Sequence, residues 1–283
     1  MSANPEASNM EAVTQEVSHE TTLFAEPILQ VGNFTITNSL IMSWATVLIL
    51  VVFFVIVGRK VKKVPGLLQN LFEYLLEQAL ELADSITGSR HKSERLLPVV
   101  MSLFFFILIN NWLGLLPGVG TIGFIESEGG HQVFVPLLRG ATADLNTTLA
   151  ISLFAIILSH AMGVISLGLW RHFNKFVNVS SIAEMPKKII KEPLVLALNP
   201  IKAFVGLIEL IGEFAKVASL SFRLFGNILA GEVLLSSMMA LFAYIVPLPF
   251  MFLEVMVGVI QALVFSILTL TFMSLAMDSH DEH

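Results

Sequence analysis

The sequence predicts an all-α membrane protein: five membrane-crossing helices plus an amphipathic helix on the inner surface, with the last two crossings forming a long, strongly tilted hairpin. Three observations predict it. The 283-residue chain is 55% hydrophobic and only 13% charged, whereas soluble domains are about a quarter charged. Its apolar runs are long enough to cross the roughly 30 Å hydrocarbon core of a bilayer. Its basic residues are gathered into two segments, as in polytopic membrane proteins. With no cysteine in the chain, disulfides and thiolate metal sites are excluded.

Residues 1–39 carry five Glu and no Lys or Arg. They lack the basic and apolar regions of a signal peptide and read as an external, acidic, loosely ordered tail. A single polytopic domain follows over residues 40–277. Its first span is 40–57, followed by Arg59, Lys60, Lys62 and Lys63. Residues 65–87 place Leu68, Leu71, Phe72, Leu75, Leu76 and Ala79 at helical spacing, with Glu73, Glu77, Glu81 and Asp84 on another face. That pattern is an amphipathic surface helix. Helices that bind lipid alone are basic, so the acidic face faces either a protein neighbour or plain solvent. The second span runs over 96–116 and the third over 145–170.

The basic residues set the orientation. Seven lie between Arg59 and Arg95 and five between Arg171 and Lys191, whereas the loop 117–144 holds Arg139 alone. The positive-inside rule then puts the N-terminus outside and the C-terminal residues 278–283 in the cytoplasm. Five crossings satisfy this orientation.

The apolar run 201–246 is too long for a simple span. As one helix it measures about 69 Å and must tilt by roughly 60° to stay in the membrane. No proline interrupts it, which favours one long, tilted helix. Pro247 and Pro249 are expected to end it and to turn the chain into the last span, 250–277. The functional hairpin is therefore 201–277.

This hairpin carries the chemistry. Arg223 cannot shed its proton, and its place at bilayer depth costs roughly 2.5–3.5 kcal/mol on insertion scales. Ser219, Lys216, Asn227, Gly226 and Ala230 all fall within about 60° of it on the helical wheel. Small residues admit another helix at close range, so a partner passing over Arg223 is expected. Glu232 lies near the opposite side of the wheel and looks toward other helices of the same subunit. Folding the hairpin back puts Gln261 at the level of Arg223 and Glu254 at the level of Glu232. Two carboxylates at one buried level cannot both ionise cheaply, which makes the pair a candidate proton relay. The alternative is that each Glu reaches a polar partner of its own.

Other polar residues are ambiguous. Glu213 and Lys216 are spaced to pair, and with Glu209 and Ser219 they form either a neutralised polar patch or a water-filled inner vestibule. Asp144 is an N-cap, the mouth of an outer path with Asn146, or both. Asn110 and Asn111 are similarly open. His160 reads as a packing or hydrogen-bonded residue with a proton-relay alternative, and the other histidines read as surface. There is no internal repeat, phosphate-binding loop, dinucleotide fingerprint or metal-ligand spacing.

The segment SLSFRLFGNILAGE, then VIQALVFSILTL, with NNWLGLLPG and ADLNTTLA upstream, resembles subunit a of the F-type ATP synthase over residues 40–283. The resemblance implies a non-catalytic stator subunit in a bacterial inner membrane, with no cofactor and no nucleic acid. Its partners would be a ring of c subunits, the b-subunit peripheral stalk, the remaining F1Fo subunits and the lipid bilayer. Arg223 matches the family's essential arginine, Asn227 and Glu232 its companions in the motif, and Gln261 the glutamine of the last helix. Ser219 and Lys216 match inner polar positions. Glu254 is a departure, since relatives often pair one Glu with a His here. Two offset half-channels are implied. The outer passes Asp144, Glu232 and Glu254; the inner passes Glu209, Glu213 and Ser219. The rival reading is a stand-alone ion channel or ion-coupled transporter, for which the missing repeats argue poorly; a passive scaffold leaves Arg223 unexplained.

Overall fold

The computed structural model describes residues 25–59, 61–62, 66–116, 118–128, 131–172, 195–242 and 245–278. The first 24 residues of the acidic tail, Lys60, Lys63, most of the basic segment 171–191 and residues 279–283 lie outside them. Six long helices are described: α1 Asn38–Arg59, α2 Leu67–Thr87, α3 Arg90–Gly114, α4 Leu145–Leu167, α5 Val195–Leu241 and α6 Pro247–Met277. All but α2 are long and apolar enough to cross a membrane. The chain is an all-α, multi-pass membrane protein.

Helix α5 is a single helix of 47 residues, about 70 Å long at 1.5 Å per residue. It stops at Leu241, before either proline. Pro247 occupies the first turn of α6, where its missing N–H costs nothing and its fixed φ favours the helix. The prolines therefore start α6; they do not end α5. Helix α3 begins at Arg90, six residues ahead of the apolar run, and carries Pro98 in its interior. Helix α4 ends at Leu167, because Gly168 takes a φ of 86°, a conformation reserved in practice for glycine.

Two antiparallel hairpins are additions to the all-helical expectation. β1 (Pro27–Val31) pairs with β2 (Phe34–Thr37), and β3 (Gly123–Glu128) pairs with β4 (His131–Pro136). Residues 27–37 of the expected loose tail are thus ordered. Both hairpins gather at one end of the bundle, the β end. There the Asn38 amide donates to the Pro136 carbonyl at 3.2 Å, and the Ser39 hydroxyl donates to Asp144 Oδ2 at 3.2 Å.

The core lies among α3, α4, α5 and α6, with Ile107, Ala155, Leu220, Leu224, Ala262 and Phe265 buried together. Helix α4 meets α5 through a run of small residues, Thr148, Ser152, Ala155 and Ser159, all buried. Small side chains let helices approach closely in lipid, where no hydrophobic effect drives their association. Helix α1 keeps most of its apolar residues, from Val47 to Ile56, exposed, as a lipid-facing span requires.

Helix α2 packs with its C-terminal half. Leu80 and Ala83 are buried with Leu96 and Leu97 of α3 and Met273 and Met277 of α6. Leu71, Leu75 and Leu76, expected on the packed face, are exposed, and so are Glu73, Glu77 and Glu81. Asp84 binds Arg90 at 2.9 Å, and Gly88 closes the helix in the left-handed region at φ 65°.

Candidate functional site

The polar residues of the hairpin fall into three places. The first is an open face on α5. Ser219, Phe222, Arg223, Gly226, Asn227 and Ala230 are all exposed, whereas Leu220, Ser221, Leu224 and Phe225, which face inward, are buried. The 3.6-residue period of the helix makes this division. The Arg223 guanidinium touches only the Ser219 hydroxyl, at 3.4 Å. It has no carboxylate partner among the described residues. Gln261 sits half-buried on α6 beside the fully buried Ala262, and it makes no hydrogen bond to Arg223.

The second place is a cavity of about 780 Å³ near the β end. It is lined by Asn110, Asn111, Arg139, Thr142, Glu232 and Glu254 among others. Glu232 and Glu254 thus share one level, as the fold-back register requires. Glu254 is 5% exposed, and no hydrogen bond or ion pair reaches it among the described residues. Its carboxyl group lies against Gly231, where an added Cβ would approach it to 1.9 Å. Only glycine leaves that space.

Arg139 was not foreseen as a site residue. It is 5% exposed and reaches Glu232 Oε2 at 3.4 Å. One signal pointed to it: it is the lone basic residue in a loop that otherwise excludes them. A three-residue 3-10 turn, Ala141–Ala143, follows it and is pinned to α3. The Asn110 side-chain oxygen accepts from Ala141 N at 3.1 Å, and the Thr142 hydroxyl donates to the Asn111 oxygen at 2.7 Å. Asn111 then donates to the Gly258 carbonyl on α6 at 3.2 Å. The two asparagines therefore brace the cavity wall.

Asp144 does not line this cavity. It is 2% exposed and caps α4, accepting from the backbone of Asn146 and Thr147 and from the Thr147 hydroxyl. It also accepts from Ala25 N and Ser39 Oγ. Its oxygens are committed to structure, which corrects its placement at the mouth of a path. Asn146 is exposed at the start of α4.

The third place lies toward the opposite end, where α2 packs. Lys216 Nζ binds Glu213 Oε1 at 2.7 Å and stands 5.0 Å from the centre of the Phe272 ring. His160 Nε2 approaches Glu213 Oε2 at 3.4 Å, and His160 Nδ1 lies 3.2 Å from His172 Nε2. His172 is 6% exposed, which corrects its reading as a surface residue. Glu209 is half-buried one turn earlier on α5.

The arrangement thus offers a cation on an open small-residue face, a carboxyl-bearing cavity toward one end, and a polar chain toward the other. A family profile described as ATP synthase A chain matches residues 40–274. The chain is also 32% identical over 248 residues to ATP synthase subunit a of Gloeobacter violaceus, covering 87% of this chain and 86% of that one.

Proposed function

Because the chain belongs to the family of F-type ATP synthase subunit a, we propose that it is the proton-translocating stator of the membrane sector, with two offset half-channels and Arg223 as the electrostatic gate between them. The observation that carries this reading is the exposure of Arg223 on a face of Gly226, Asn227, Ala230 and Ser219 with no carboxylate of its own chain. Its counter-charge then comes from a carboxyl group on a passing c subunit.

The electrostatics favour such a gate. A carboxylate about 4 Å from a fixed guanidinium gains roughly 4 kcal/mol at an effective dielectric near 20. A protonated ring carboxyl arriving at Arg223 is therefore driven to release its proton. The same fixed cation opposes a proton moving straight from one half-channel to the other. A membrane potential contributes about 2.3 kcal/mol per charge per 100 mV. Rotation of the ring is left as the path.

The outer half-channel is the cavity holding Glu232, Glu254 and Arg139, with the β end facing outside. The inner half-channel starts near Ser219 and runs along Lys216, Glu213 and Glu209. Helix α5, at about 70 Å, lies steeply tilted against the ring. The ATP chemistry belongs to other subunits, and the b-subunit stalk holds this chain against rotation. The protein sits in the bacterial inner membrane, with its C-terminus in the cytoplasm.

Purification in a mild detergent followed by native mass spectrometry tests the stator reading. The expected species contains this chain with multiple copies of a small hairpin protein. A lone chain that conducts ions by itself in liposomes contradicts it.

A further inference from the structure

We infer that His160 and His172 form a proton-carrying pair that extends the inner half-channel beyond Glu213. The inference rests on the half-channel reading given above. The groups run in single file. Lys216 binds one oxygen of Glu213, and His160 Nε2 lies 3.4 Å from the other. His160 Nδ1 lies 3.2 Å from His172 Nε2. The file passes from α5, across α4, to the residues just after α4. These donors follow a line and do not converge on a point. No set of three His, Cys, Asp or Glu able to hold a metal occurs among the described residues.

The pair is built into the packing. The two rings meet edge to face, with centroids 5.4 Å apart. His172 is 6% exposed and fits against Gly163, where an added Cβ would come within 2.6 Å of the ring. It would also come within 2.7 Å of the Ala276 carbonyl on α6. Gly163 is thus what admits the imidazole between α4 and α6. The charges facing the pair are Glu213 and Lys216 from α5, with Glu209 one turn earlier, and Arg171 beside His172. Helix α6 presents the Phe272 ring and the Ala276 backbone. The neighbouring side chains Leu158 and Met162 pack on the apolar cluster of α2 and α3.

A hydrogen bond between two ring nitrogens needs one N–H and one lone pair. With that bond intact, only one of the two rings is an imidazolium. Glu213 and Lys216 neutralise each other, so the pair can take up one proton without a net charge nearby. The transfer balances as follows. Protonated Glu213 gives its proton to His160 Nε2 and becomes a carboxylate. The Nδ1 proton of His160 passes to His172 Nε2, and His172 releases its own Nδ1 proton. One proton enters and one leaves, and both rings end neutral in the opposite tautomer; ring rotation resets them. Imidazole titrates near pH 6.5 when unperturbed, which suits exchange with a near-neutral compartment.

Inverted membrane vesicles stripped of the ATP-hydrolysing sector test this. A potassium diffusion potential drives proton flux, a pH-sensitive dye reads it, and a carbodiimide that modifies ring carboxyls defines the specific part. His160→Gln, His172→Gln and the double variant are expected to lose that flux several-fold, and imidazole added to the exposed cytoplasmic face is expected to restore it. Gly163→Ala is expected to reproduce the loss by displacing His172. Wild-type flux in the double variant, or a loss that imidazole does not restore, overturns the inference. If the double variant fails to assemble, a histidine-acylating reagent applied to the wild-type vesicles gives the same reading. His160, 32% exposed, is then mapped by mass spectrometry; acylation without loss of flux overturns the inference. Failure of the half-channel reading looks different: the specific flux then persists, still coupled, in Arg223→Ala.

Discussion

The carboxyl group of Glu254 lies against the backbone of Gly231, in the space that a Cβ at residue 231 would fill at 1.9 Å. The residue before Glu232 is therefore glycine so that a carboxyl group from α6 can reach the same level. Gly231→Ala displaces the far end of a flexible side chain and no backbone. The variant is expected to assemble normally and to carry proton flux several-fold below wild type. Flux in vesicles together with complex recovery in detergent checks this.

Glu254→Gln keeps the shape and removes the exchangeable proton. It is expected to slow flux more than it alters assembly. Wild-type flux at every pH between 5 and 9 sinks the relay assignment, a range of roughly two units either side of neutrality chosen to span ordinary carboxyl and imidazole titration.

Arg139 supplies the Glu232 carboxylate with a buried cation. Removing one partner of a fully buried pair costs about 3–5 kcal/mol. Glu232 is 37% exposed, so Arg139→Gln is expected to cost less than that. A double-mutant cycle with Glu232→Gln in detergent thermal unfolding measures the coupling, expected at roughly 0.5–3 kcal/mol. Additive effects of the two changes contradict the pairing.

Asp144→Ala removes the cap of α4 and the anchor of the first hairpin. The expected loss is about 1–2 kcal/mol for the cap alone, with Asp144→Asn milder. Proton flux per assembled complex is expected to stay at the wild-type level, and a selective loss of flux restores Asp144 to the path.

The spans, the open face and the Glu232–Glu254 level were legible in the sequence because each follows from a fixed period. Bilayer thickness sets the length of an apolar run, and 100° per residue sets which residues join Arg223. The two hairpins were missed although Gly32–Asn33, between PILQV and FTIT, is a two-residue turn signal, and Gly32 takes φ 63°. The apolar reading of the chain drew attention from such short strands. Arg139 and His172 were missed for another reason. Their partners, Glu232 and His160, are distant in sequence or across a helix end, and no local pattern states that such groups meet. Asp144 shows the converse, since its capping role was visible locally and the path role was not needed to explain it.

The central claim is that Arg223 gates proton flow and couples it to rotation. ATP-driven proton pumping and passive proton leak, measured together in inverted vesicles carrying Arg223→Ala, test it most directly. The expected result is loss of coupled pumping with passive leak retained or raised. Normal coupled pumping in that variant contradicts the account.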